Sequence, residues 1–160
     1  MDRYSAIRSQ LVHAWIPDIY QKKIRTQRTR SVQIVVPAKR NLAEIQYTLL
    51  GIELKIGRRR FSCPDLATAR YMRIFARIGV ADFAIPYDIT RISTVADDLE
   101  TAWQKLLLVV RSSLEDLSEQ GKTRTLNRVI RSIREEITEI GPGASMPAFD
   151  RETRRRRPDN

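Results

Sequence analysis

Residues 62–87 read SCPDLATARYMRIFARIGVADFAIPY, and this stretch decides the fold. Ser62, Pro64 and Asp65 are residue types that start helices, because an oxygen-bearing side chain or a fixed φ suits the unpaired N–H groups of a first turn. Leu66, Ile74, Phe75 and Ile78 supply an apolar face at helical spacing, and Gly79 supplies the stop. Residues 82–87 (DFAIPY) follow as a strand, with Pro86, which cannot donate to a ladder, marking an edge or an end. Upstream, Ile52, Leu54 and Ile56 alternate with Glu53 and Lys55, the period of a half-buried strand, and Gly57-Arg58-Arg59-Arg60 reads as a turn before Phe61. The order is strand, helix, strand.

Further toward the N-terminus, residues 41–50 carry two signals. Asn41-Leu42-Ala43-Glu44 has the pattern of an Asn-headed capping box with Gly51 as a stop, which gives a helix over 42–50. Ile45, Tyr47 and Leu49 alternate with Glu44, Gln46 and Thr48, and this alternation favours a strand. Residues 31–36 (SVQIVV), β-branched and closed by Pro37, read as another strand. Before them Tyr4, Ile7, Leu11, Trp15 and Ile16 form a helical stripe that Pro17 ends or kinks. Residues 18–30 then read as an exposed basic helix or arm.

Downstream, Ile92, Ala96, Leu99, Trp103, Leu106, Val110, Leu114 and Leu117 recur every three or four residues over about seven turns. Thr94 serves as the expected N-cap, Asp97, Asp98 and Glu100 complement the helix dipole, and Gly121 is the expected stop. A second helix carries Leu126, Val129, Ile130, Ile133, Ile137 and Ile140 and ends at Gly141-Pro142-Gly143, so the two form an antiparallel hairpin. The reading is therefore α+β: a small sheet with a covering helix in the N-terminal half, and a long antiparallel helical hairpin in the C-terminal half. It makes one domain over 1–143, with an N-terminal helix and basic arm (1–30), sheet and helix (31–90) and hairpin (91–140). Residues 144–160, basic and without apolar period, read as a disordered tail.

Charge is the functional signal. Residues 1–80 hold 16 Lys/Arg against 5 Asp/Glu, and residues 81–148 hold 8 against 11, so the net +10 resides in the first half. Such a field draws in polyanions: nucleic acid first, and an anionic membrane surface as well. No apolar run reaches the ~20 residues of a membrane helix, and the opening MDRY leads into an amphipathic stretch rather than a signal peptide, which fits a cytoplasmic protein. One cysteine and one histidine allow neither an internal disulfide nor a Cys/His zinc site within the chain. No phosphate-cradling glycine loop or nucleophile elbow is present.

The nucleic-acid-binding set is Lys22, Lys23, Arg25, Arg28, Arg30, Lys39, Arg40, Arg58, Arg59 and Arg60, with Arg70, Arg73 and Arg77 on one helix face. Arginine dominates, which suits bidentate contact with phosphate, and Tyr20, Tyr47 and Phe61 are the neighbouring rings that could stack on bases. The competing interpretation is an ordinary solvated face with aromatics in the core. The expectation is a non-enzymatic nucleic-acid-associated module without a cofactor. A second reading is a protein-binding adaptor working through the hairpin, residues 92–140.

A third reading starts at Glu53-Leu54-Lys55, an acid and a lysine on one side of a strand, with helix and strand after it. Over residues 43–87 this resembles the PD-(D/E)xK nuclease superfamily. The resemblance implies Mg²⁺ held by Glu53 and an upstream acid, for which Glu44 is the nearby residue, with Lys55 at the attacking water. Cys63, near a helix start, is where a dipole would favour a thiolate, though a lone cysteine near a cap is more often a small buried residue.

Overall fold

The computed structural model describes residues 3–35 and 43–142. Among them the elements run α1 (Arg3–Leu11), α2 (Ile16–Ile19), β1 (Thr29–Gln33), β2 (Ala43–Thr48), β3 (Gly51–Ile56), β4 (Arg59–Cys63), α3 (Leu66–Ile78), β5 (Asp82–Pro86), α4 (Ile89–Ser113) and α5 (Glu119–Ile140). The architecture is α+β, as expected, but the strands divide into two antiparallel sheets, β1-β5 and β2-β3-β4.

The sheet β2-β3-β4 follows from alternation. Ala43, Leu54, Ile56 and Cys63 are buried against α3, while Glu44, Glu53, Lys55 and Arg60 fall on the other face. The β3-β4 turn is shorter than the sequence suggests: Arg59 and Arg60 already belong to β4, because Gly57 at φ +60° completes the reversal beside Arg58. Residues 41–42, 36–37 and the tail 144–160 lie outside the described residues. β1 begins two residues earlier than the β-branched run indicates and ends at Gln33.

α3 is the centre of the fold. Asp65 caps it by accepting from the Thr68 N–H at 2.7 Å, and Gly79 ends it at φ +94°. A side chain at Gly79 would meet the Arg134 guanidinium, whose Nε donates to the Ile78 carbonyl at 3.0 Å, so the same glycine also allows α5 to dock. Tyr71, Ile74, Phe75 and Ile78 are wholly buried, whereas Leu66, expected on that face, is 40% exposed.

β5 is buried along nearly its whole length but, among the described residues, pairs only with β1. The ladder bonds fall on alternate pairs: Tyr87 N–H donates to the Arg28 carbonyl and Ile34 N–H to that of Ala81. Ala84 therefore turns its N–H and C=O away from β1. Tyr20 Oη accepts from the Ala84 N–H at 3.0 Å, and Tyr71 Oη donates to the Ala84 carbonyl at 2.5 Å. Two tyrosine hydroxyls stand where a third strand would.

The helical hairpin forms from α4 and α5, with α1 laid against both. Three of its termini differ from expectation. α4 starts at Ile89, capped by Asp88 on the Thr90 N–H, so Thr94 lies inside the helix with its hydroxyl on the Thr90 carbonyl. α4 ends at Ser113, not Gly121; Ser118 caps α5 by accepting from the Gly121 N–H, which puts that glycine in the first turn of α5. The apolar stripes of both helices are buried in the common core, including Leu99, Leu106, Val129, Ile133 and Ile137. Pro17 does not end α1 either. The break falls at Trp15, whose extended backbone precedes α2, and Pro17 sits in the first turn of α2, where its missing N–H costs nothing. Val12, just before it, holds a strained φ of +47°.

Candidate nucleic-acid interface

Between Asp18 and Glu44 the chain has no carboxylate. α2 runs into a single π turn, Tyr20–Ile24, which closes with the Arg25 N–H on the Tyr20 carbonyl at 2.9 Å. The wider turn buries Ile19, Tyr20 and Ile24 and leaves Lys22 and Lys23 outside. The segment is thus a packed basic turn, not a free arm. β1 then carries Arg30, with Arg28 just before it.

The expected cations separate into two groups. Lys23 Nζ pairs with Asp98 at 2.9 Å. Arg70 binds Asp97 and Glu100, and Arg73 Nη2 binds Glu100 at 2.8 Å. Arg77 lies beside Arg73, and burial, with the charge of Arg73 added, pulls its guanidinium below the usual range. Arg60 Nη1 lies 4.0 Å from Glu53. In contrast Lys22, Arg25, Arg28, Arg30, Arg58 and Arg59 have no carboxylate at ion-pair distance among the described residues. Lys39 and Arg40 lie outside the described residues.

The Arg70–Glu100–Arg73 cluster joins α3 to α4 and is structural. Burial alone would raise the Glu100 carboxyl, but hydrogen bonds from Arg70 and Arg73 outweigh it and hold the group below its usual range. A depressed carboxylate contributes stability that is complete above its unfolded value, about 4.3, and is lost as pH falls through the folded value. Glu100→Gln is expected to cost about 1–2 kcal/mol at neutral pH. It should also flatten the decline of stability between about pH 5 and pH 3. Urea titrations of both proteins across that range check the sign, and parallel curves would remove Glu100 from the account.

At the end of the β1-β5 ladder the Arg28 guanidinium lies 5.1 Å from the centre of the Tyr87 ring, which is 40% exposed. Arginine stacked on tyrosine presents a flat cationic surface, the shape that receives a phosphate or a base. Tyr87 was not among the rings singled out from sequence; its only signal there was its place directly after Pro86. Of the expected rings, Tyr20 is wholly buried as a hydrogen-bonding core residue, Phe61 is half-buried, and only Tyr47 is exposed.

Glu44, Glu53 and Lys55 do share one sheet face, since Glu44 pairs with Lys55 and Glu53 lies two residues along β3. The donor set does not fit a divalent ion. Lys55 stands across from Glu44, Arg60 approaches Glu53, and no group of three or more His, Cys, Asp or Glu gathers among the described residues. The Cys63 thiol is pushed up by burial, with Asp65 adding to the effect, so of the two readings of this residue the small buried cysteine fits and the dipole-favoured thiolate does not. No helix among the described residues is long and apolar enough to cross a membrane. No family model matches this chain, and no curated protein or solved structure is similar to it.

Proposed function

We propose that the protein is a non-enzymatic nucleic-acid-associated module that engages phosphates through Lys22, Arg25, Arg28 and Arg30. The observation that carries this reading is the Arg28–Tyr87 stack at the end of an acid-free basic stretch. Among the described residues, Lys22, Arg25, Arg28 and Arg30 have no carboxylate at ion-pair distance, whereas Arg70 and Arg73 are held by acids of α4. The adaptor reading has less to work with, because the stripe of residues 92–140 is largely buried in the protein's own core.

Binding of the full chain to labelled single- and double-stranded RNA and DNA tests the proposal. Affinity should fall steeply with salt, and a variant with Lys22, Arg25, Arg28 and Arg30 all changed to Ala should bind about 100-fold more weakly, with a salt slope shallower by about 3. Absence of binding at low ionic strength, or a variant that binds like the parent, overturns it. The same samples with Mg²⁺ address the nuclease reading: probe cleavage lost in Glu53→Ala would replace the module with an enzyme.

A further inference from the structure

Residues 81–148 are net acidic as a whole, yet α5 is not acidic up to Arg134. From Gln120 to Arg134 it carries Lys122, Arg124, Arg128, Arg131 and Arg134 and no carboxylate. Its apolar stripe, Leu126, Val129, Ile130, Ile133 and Ile137, is buried in the core. Arg124, Arg128 and Arg131 stand at i, i+4 and i+7, which puts them together on the opposite, exposed face. They extend along about 10 Å of helix, the rise of about three phosphates on one strand of a duplex.

Helix stability does not account for this face. Cations in the first turns oppose the positive end of the macrodipole, and like charges at i, i+3 and i, i+4 repel. Tertiary pairing does not account for it either. Arg3 and Arg8 of neighbouring α1 are matched by Asp116 and Glu136, and Arg70 and Arg73 of α3 by acids of α4. Arg124 and Arg131 have no carboxylate at ion-pair distance among the described residues. The acids that bound the stretch leave it cationic: Glu119 meets Lys122 at 3.5 Å, and Glu135, one turn beyond Arg131, makes no ion pair with it.

We propose that this face of α5 is a second phosphate-binding surface, which takes a nucleic-acid segment separate from the one at Arg28. The separation follows from the hairpin. Tyr87, on which Arg28 stacks, lies just before α4, whose 25 residues extend about 37 Å before the turn into α5. Arg3 ties the start of α1 to Asp116 in that turn, and Arg128, 5.8 Å over the Tyr4 ring, lies at the same end. One molecule therefore holds two segments toward opposite ends of the hairpin and bridges them. The inference rests on the nucleic-acid reading for the class of its ligand.

The test is capture of a short labelled DNA duplex on an immobilised one by the full chain. Capture should fall at least about tenfold in Arg124→Ala/Arg131→Ala, with a salt slope for single-duplex binding shallower by about 2. It should persist in Arg124→Lys/Arg131→Lys, which keeps the charge. The variant with Lys22, Arg25, Arg28 and Arg30 changed to Ala should lose capture too, yet still bind single duplexes through α5. Capture unchanged in the alanine pair, or lost equally in the lysine pair, overturns the α5 surface and leaves the Arg28 site in place. Capture unchanged in the fourfold variant instead removes the Arg28 site and with it the bridge, and a parent that binds no nucleic acid removes both.

Discussion

Phe75→Ala is expected to remove about 3–5 kcal/mol of stability, a large share of the ~5–15 kcal/mol that holds a domain together. Phe75 has no exposed surface. Its ring stacks on Phe83 with centroids 4.3 Å apart and planes 9° apart, and it lies 5.0 Å from Tyr71 and 5.7 Å from Tyr20. These contacts join α3, β5 and the π turn that follows α2, so truncation leaves a void that several elements share. Those elements are fixed elsewhere, by the Asp65 and Gly79 caps and by the β1 ladder, so the void should not collapse. Urea unfolding followed by circular dichroism measures the loss. A value below about 1 kcal/mol would mean that the ring cluster is not close-packed.

Tyr20→Phe should cost about 2–4 kcal/mol, because one missing oxygen leaves the buried Ala84 N–H and the half-buried Gly141 carbonyl without a partner. Tyr20 Oη accepts from the Ala84 N–H and donates to the Gly141 carbonyl at 2.6 Å. It therefore closes the open edge of β5 and ties the end of α5 to the same point. Burial pushes both the Tyr20 and the Tyr71 hydroxyl above the usual range, so both remain protonated donors at working pH. Tyr71→Phe should cost less, about 1–2 kcal/mol, since it frees only the Ala84 carbonyl. The double variant should lose less than the sum, because both substitutions act on one peptide group. Hydrogen exchange separates them: the Ala84 amide should exchange faster in Tyr20→Phe and stay protected in Tyr71→Phe. Equal protection in both would show that the edge is closed by something else.

What sequence alone determined about this protein is its set of elements. α3 was legible because its signals are local: a capping Asp65, apolar residues at helical spacing and a left-handed Gly79 lie within one short stretch. The strand character of residues 43–56 was legible in alternation, and the hairpin in two long apolar stripes. Caps were read less well. Asp88 and Thr94 have equally suitable side chains, and the choice between them depends on where β5 releases the chain.

Only the tertiary structure decided how the elements associate and which charges remain available. The strand-helix-strand order suits a single sheet, yet β5 pairs with β1, because Tyr20 and Tyr71 arrive from helices to bond the peptide that β1 leaves open. The thirteen expected cations looked alike in sequence. Arg70 and Arg73 are distinguished from Arg28 and Arg30 by Glu100, whose approach depends on the packing of α3 against α4. Periodicity records which face of an element avoids water. It does not record what that face, or the opposite one, will meet, because those contacts join residues tens of positions apart.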